Sequence, residues 1–110
     1  MELPLQISAH GVELGSETES LIRQHAQKLD RYYGHIMGLR VTVEVPQRQM
    51  GEPIVYNAHI DVTIPGGEVV VKRQAHPELH TAIQRAFDAA RRRLQDYARR
   101  QRGAVKTHTK

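Results

Sequence analysis

Arginines in the last third of the chain are the residues whose type and spacing most clearly indicate a binding chemistry. Arg85, Arg92 and Arg99 are seven residues apart. On a helix this spacing places them in one row at intervals of about 10.5 Å. Guanidinium groups stay charged at physiological pH and can bind a phosphate through two hydrogen bonds at once. The row therefore predicts a polyanion-binding surface, with an ordinary solvated helix face as the alternative.

Further arginines flank this row on the predicted helix. Arg91 and Arg102 lie on one side of it, and Arg93 and Arg100 lie on the other. Between Arg85 and Arg102 there are seven arginines and two acids, so few carboxylates can neutralise the face. A helix face of nearly one sign favours the binding role over simple solvation.

The charge of the whole chain is distributed unevenly. Residues 1–71 contain five Lys/Arg and nine Asp/Glu, a net charge of −4, whereas residues 72–110 contain eleven and three, a net charge of +8. Such a field attracts a polyanion, which could be nucleic acid, an anionic membrane or an acidic protein. A membrane surface is disfavoured because the other side of the helix is needed for the core and no Trp or Phe cluster projects outward.

The first predicted helix adds a smaller basic group. Lys28 and Arg31 lie away from its apolar side. They belong either to an ordinary wet face or to the same binding surface, and the pattern leaves both interpretations open.

Residues that could support catalysis or metal binding do not form a recognisable pattern. Among the seven histidines, His76 and His80 are four residues apart, but Pro77 lies between them. The chain has no cysteine, which excludes disulfides and Cys-based zinc sites and is typical of a reducing compartment. It also has no Walker-type phosphate loop and no nucleophile elbow. We therefore predict no catalytic residue, no metal, no cofactor and no small-molecule substrate.

Apolar and polar residues alternate in four segments, which predicts four strands. Gly66 and Gly67 stand between the last two segments and predict a two-residue hairpin turn. The loop before the third strand covers residues 47–53. The predicted strands are residues 3–8, 39–45, 56–64 and 69–74.

Apolar residues spaced by three and four predict two helices. Ser16 and Glu19 form a capping box for the first, and Gly34 is its predicted end. The second carries Pro77 in its first turn, runs to about residue 102 and is predicted to stop at Gly103.

The element order β-α-β-β-β-α predicts an α+β fold. Each strand has one apolar face, so both helices should cover the same side of a four-stranded sheet. The first strand-helix-strand unit should have parallel strands. We expect one domain over residues 1–103 and a flexible basic tail over residues 104–110. The N-terminus has no basic segment followed by an apolar run, so we expect no signal peptide and no membrane span.

Three segments resemble the family of ribosome hibernation-promoting factors and ribosome-associated inhibitor A. They are residues 28–32, residues 76–83 and residues 92–94, with the sequences KLDRY, HPELHTAI and RRL. The resemblance covers about residues 3–102 and includes the element order. The sequence resembles the short, single-domain members, so we expect no ribosome-pairing domain of the kind that long members carry.

This resemblance implies a non-enzymatic, cytoplasmic protein with a fold similar to a double-stranded-RNA-binding domain. It implies binding to ribosomal RNA of the small ribosomal subunit near the decoding centre, and translation inhibition by occupancy under stress. Lys28 and Arg31 match the family's basic positions on the first helix, and Arg92 matches one on the second. His80 departs from the family's usual tyrosine. The full predicted RNA-binding set is Lys28, Arg31, Arg85, Arg91, Arg92, Arg99 and Arg100.

Two other functions remain possible from the sequence. One is a general module for structured RNA that is not specific to ribosomes. The other is a protein-interaction domain whose basic helix docks an acidic partner. For the leading interpretation we expect a monomer off the ribosome.

Overall fold

The fold consists of four strands and two helices in the predicted order. A computed structural model describes the backbone of residues 3–47 and 50–108, and the side chains of this part up to Gln101. The α+β class and the element order are therefore confirmed. The elements are β1 (Leu5–His10), α1 (Ser16–Tyr33), β2 (Gly38–Glu44), β3 (Tyr56–Ile64), β4 (Gly67–His76) and α2 (Leu79–His108).

The strands form one sheet in the order β1-β2-β3-β4. β1 pairs with β2 in parallel, as the crossover through α1 requires, and the other neighbours pair antiparallel. Every second residue of the strands points toward the helices, which gives β2 the buried residues Leu39, Val41 and Val43. These side chains pack against buried residues of both helices, for example Ile22 and Ile83. Both helices therefore lie on one face of the sheet, as predicted.

The ends of α1 show one wrong prediction and one confirmed prediction. Gly15 is the N-cap residue and no side chain caps the helix, so the Ser16–Glu19 capping box is wrong. Ser16 is already inside the helix, one position too late for its hydroxyl to act as the cap. At the other end Gly34 adopts a left-handed conformation with φ of 84° and donates a hydrogen bond of 2.7 Å to the Asp30 carbonyl. A glycine accepts this φ without the Cβ clash of other residues.

The β3–β4 hairpin turns one residue earlier than predicted. Ile64 pairs with Gly67, so the two turn residues are Pro65 and Gly66 rather than Gly66 and Gly67. Gly66 has φ of 82°. Proline followed by a residue of positive φ is typical of a type II turn, and this preference of Pro65 determines the turn position.

Helix α2 is longer than predicted at its C-terminal end. It begins at Leu79, two residues after Pro77, and continues through Gly103 to His108. The predicted stop at Gly103 is therefore wrong. A single glycine inside a helix costs only about 1 kcal/mol relative to alanine, and it ends a helix only where the chain turns left-handed. The flexibility of residues 104–110 stays a prediction.

Candidate nucleic-acid interface

The outward side of α2 carries the predicted arginine row. Arg85, Arg92 and Arg99 are all exposed, while Ile83, Ala90 and Leu94 of the same helix are fully buried. Since the core fixes the rotation of α2 about its axis, the three guanidinium groups must project to solvent together. Here "arginine row" means Arg85, Arg92 and Arg99.

Carboxylates do little to neutralise the arginine row. Arg99 lies 3.9 Å from Asp96, and both side chains are more than half exposed. A surface pair of this kind contributes between zero and about 1 kcal/mol, so it yields readily to a phosphate. Arg85 and Arg92 form no ion pair with the part of the chain whose side chains are described. The row is therefore available to an external anion.

The arginines that flank the row point in two other directions. Arg91 lies over the Tyr32 ring of α1, with its guanidinium carbon 5.1 Å from the ring centre. Arg93 donates a hydrogen bond through Nη1 to the Val70 carbonyl of the edge strand β4. Arg100 lines the same shallow groove between α2 and β4 as Arg93. Arg93 thus has a backbone hydrogen-bond partner and Arg91 an aromatic one, while all three flanking side chains stay exposed.

The two basic residues predicted on α1 point in different directions. Lys28 is exposed on the side near α2, where its charge acts on His25. Arg31 is exposed and lines a cleft of about 720 Å³ between α1 and β1. The floor of that cleft includes Leu5 and Ile7. Only Lys28 therefore extends the basic surface of α2 across to the first helix.

The two helices meet along a line of three contacts, which we call the helix seam. The contacting residues on α1 are seven apart. Residue numbers rise in the same direction along both helices from one contact to the next, so the helices run parallel. The outer contacts are a hydrogen bond of 3.1 Å from side chain to side chain and the contact between Tyr32 and Arg91. The middle contact is a ring stack with centres 5.1 Å apart. The seam consists of Thr18 with His80, His25 with Phe87, and Tyr32 with Arg91.

His25 at the centre of the seam favours its neutral form. Burial lowers the pKa of this imidazole below its ordinary value, and the charge of Lys28 lowers it further. Asp88 opposes both effects by raising the pKa. A neutral ring suits the nearly parallel stack on Phe87, whose planes differ by 16°. The stack holds the basic faces of the two helices in a fixed relation.

The opposite face of the sheet is less suited to a polyanion because its charges have both signs. A bulge in β4 places Lys72 and Arg73 together opposite His59, and Arg73 has the uncommon φ of 30°. Asp61 lies 3.2 Å from His59 on the same face.

In the described part of the chain, no group of three or more His, Asp or Glu side chains could hold a metal ion. No described helix is long and apolar enough to cross a membrane.

Sequence reasoning did not predict the contacts of Tyr32 and His25 with α2. Both lie on the side of α1 that faces α2, and Tyr32 is one turn after Lys28. Their spacing of seven was a possible signal, since it repeats one helix side. The partner residues on α2 could not be assigned because the sequence does not define how the helices cross.

Comparison with known proteins places the chain in a family. Residues 5–102 match the family described as Sigma 54 modulation protein / S30EA ribosomal protein. The chain belongs to this family. Its members are ribosome hibernation and modulation factors, a class without enzymatic activity, so the resemblance and the prediction of no enzyme are confirmed.

A curated S30EA relative agrees with this assignment. The chain is 26% identical over 95 residues to a ribosome hibernation promotion factor from Deinococcus radiodurans. This alignment covers 86% of the chain but 49% of the relative, so the chain spans about half the length of that curated protein.

Two solved structures share the S30EA fold. A ribosomal subunit interface protein from Coxiella burnetii superimposes with a TM-score of 0.75 at 10% identity, over 87% of this chain and 98% of that chain. The N-terminal domain of Protein Y from Thermus thermophilus gives 0.65 at 23% identity, over 88% and 99%. At such identities the likeness establishes the fold.

Proposed function

We propose that this chain is a ribosome-associated translation inhibitor of the cytoplasm. It binds the small subunit near the decoding centre through ribosomal RNA and silences or stores ribosomes under stress. The observation that carries the proposal is the exposed arginine row on a helix whose other side is core, in a member of the S30EA family.

The physical basis of binding is a rigid set of charges. Arg85, Arg92 and Arg99 lie on one helix whose opposite side is packed in the core, so their spacing is fixed before RNA binds. Folded RNA also holds its phosphates in fixed positions, and two rigid partners lose little conformational entropy on binding. Arg100 and Lys28 add charge on either side of the row. Inhibition then follows from occupancy, since a protein at the decoding centre excludes messenger and transfer RNA without any chemical step.

The first experiment asks whether the ribosome is the partner. The purified chain is centrifuged through a sucrose gradient with small subunits at low salt, and bound samples are probed with an RNA-modifying reagent. We expect co-sedimentation, and protection of decoding-centre nucleotides from the reagent. A chain that stays at the top of the gradient contradicts the proposal, and protection confined to other regions contradicts the location.

A general structured-RNA module is the second candidate. It is favoured by the nature of the arginine row, because contacts to phosphates carry no sequence information. The two candidates predict different affinities for a plain RNA duplex of about 16 base pairs, the length that one double-stranded-RNA-binding domain spans. Equal affinity for the duplex and for small subunits favours the general module. A basic protein-interaction domain predicts instead partners that survive nuclease treatment.

A further inference from the structure

Tyr32 is an aromatic residue whose position the core does not explain. It lies at the C-terminal end of α1, and 46% of its surface is exposed. The other large hydrophobic residues that the described part of the chain exposes are Met37, Met50 and Ile54. Tyr32 is thus the exposed aromatic of this set, and it lies beside the basic surface of α2.

Arg91 covers this ring without any acidic partner. Its guanidinium carbon is 5.1 Å from the ring centre of Tyr32, and Arg91 forms no ion pair within the described side chains. A cation over an aromatic face is attracted by the ring, but the attraction is weak where water reaches both groups. The contact therefore orients two flat groups at the surface more than it stabilises the fold.

Each member of this pair has a cation next to it along its own helix. Lys28 precedes Tyr32 by one helical turn and is exposed on the side of α1 near α2. Arg92 follows Arg91 and belongs to the arginine row. An aromatic ring and a guanidinium plane with a cation beside each match one nucleotide. A base can stack on the flat groups while its neighbouring phosphates meet the cations.

We propose that Tyr32 and Arg91 form a stacking site for one unpaired nucleobase of structured RNA, with Lys28 and Arg92 binding the flanking phosphates. The inference rests on the proposed RNA binding and adds a preference to it. A base inside a duplex is already stacked on its neighbours and cannot offer a free face, so the site selects a bulge, loop or strand end. The arginine row alone gives no such preference, since it binds phosphates of paired and unpaired RNA alike.

The test uses two RNA hairpins that differ only by one bulged nucleotide, 2-aminopurine, whose fluorescence is quenched when it stacks. We expect the wild-type chain to quench the probe and to bind the bulged hairpin more tightly than the fully paired one. Tyr32→Leu keeps an apolar side chain of similar length without a ring. It should lose the quenching and weaken binding to the bulged hairpin about tenfold, the effect of losing one stacked base.

Tyr32→Phe is the matched control, because it keeps the ring and removes only the hydroxyl. It should quench and bind as the wild type does. Circular dichroism should show both variants folded, since Tyr32 lies at the surface. If Tyr32→Leu still quenches, weakens binding to both hairpins equally or leaves both affinities unchanged, the stacking site does not exist. Absence of quenching by the wild-type chain also overturns it.

Ribosome binding and base stacking are tested by separate measurements. Small-subunit sedimentation of the wild-type chain tests the proposed function, whereas the difference between the hairpins tests the stacking site. A chain that stacks the bulged base but does not sediment with small subunits loses the ribosomal role and keeps the site. A chain that sediments but treats both hairpins equally keeps the role and loses the site.

Discussion

At the scale of single residues, the arginines of α2 divide by the direction in which they point. Arg85, Arg92 and Arg99 face solvent, Arg91 leans on Tyr32, and Arg93 binds a backbone carbonyl of β4. Residues of one type, close in sequence, therefore have different tasks. Their number predicts a polyanion surface, but only their surroundings separate those that are free to bind phosphate from the one that holds an edge strand.

The lowered pKa of His25 predicts a loss of stability on acidification. Unfolding returns this imidazole to its ordinary pKa of 6.5. The unfolded chain therefore binds more protons than the folded chain between that value and the lower folded pKa, and stability falls as pH decreases through this window. His25→Phe keeps a ring against Phe87 and cannot titrate.

Urea unfolding at pH 7.5 and pH 5 measures this effect. The wild type should lose more stability between these two values than His25→Phe does. Equal pH responses of the wild type and His25→Phe would show that His25 does not titrate differently on folding.

At the scale of elements, the rotation of α2 links stability to binding. Leu94 is fully buried and Arg92, two residues away, is exposed. Leu94→Ala should lower the free energy of unfolding by about 3 kcal/mol, since it removes buried methyl groups and leaves a cavity. Arg92→Ala should change it by less than about 0.5 kcal/mol and yet weaken RNA binding. Denaturant unfolding and RNA titration of both variants check this pair, and a strongly destabilised Arg92→Ala contradicts the assigned rotation.

Sequence patterns predicted the elements and their faces, but predicted several ends less well. The alternation in β2 and the spacing of three and four in α1 follow from which side is buried, so both could be read from the sequence. The N-cap at Gly15, the turn at Pro65 and the continuation of α2 past Gly103 depend on single hydrogen bonds and backbone angles. The periodicity of side chains does not report these.

The candidate site was predictable to the same extent. The arginine row follows from helical geometry, because the apolar stripe of α2 defines the opposite side. The contact between Tyr32 and Arg91 joins residues 59 positions apart. It depends on the way α1 packs beside α2, and no pattern within either helix contains that information.

At the scale of the whole molecule, the separation of charge makes salt dependence a test of the interface. Each phosphate that the protein contacts releases counterions, so the logarithm of affinity falls linearly with the logarithm of salt concentration. Neutralising the arginine row with Arg85→Gln, Arg92→Gln and Arg99→Gln should reduce this slope by about 2 to 3, as expected for three lost phosphate contacts. Titrations of labelled RNA at several salt concentrations measure the slope. An unchanged slope means that the row does not touch phosphate.

Small-subunit binding by a charge-reversed chain tests the central claim most directly. The row variant reverses the charge of the arginine row through Arg85→Glu, Arg92→Glu and Arg99→Glu. The control variant changes the net charge equally at exposed positions elsewhere, through Arg23→Glu, Arg40→Glu and Lys72→Glu. Both triple variants should fold as the wild type does by circular dichroism. In a sucrose gradient at low salt we expect the control to co-sediment with small subunits and the row variant to remain unbound. Co-sedimentation of the row variant at the level of the control would contradict the account.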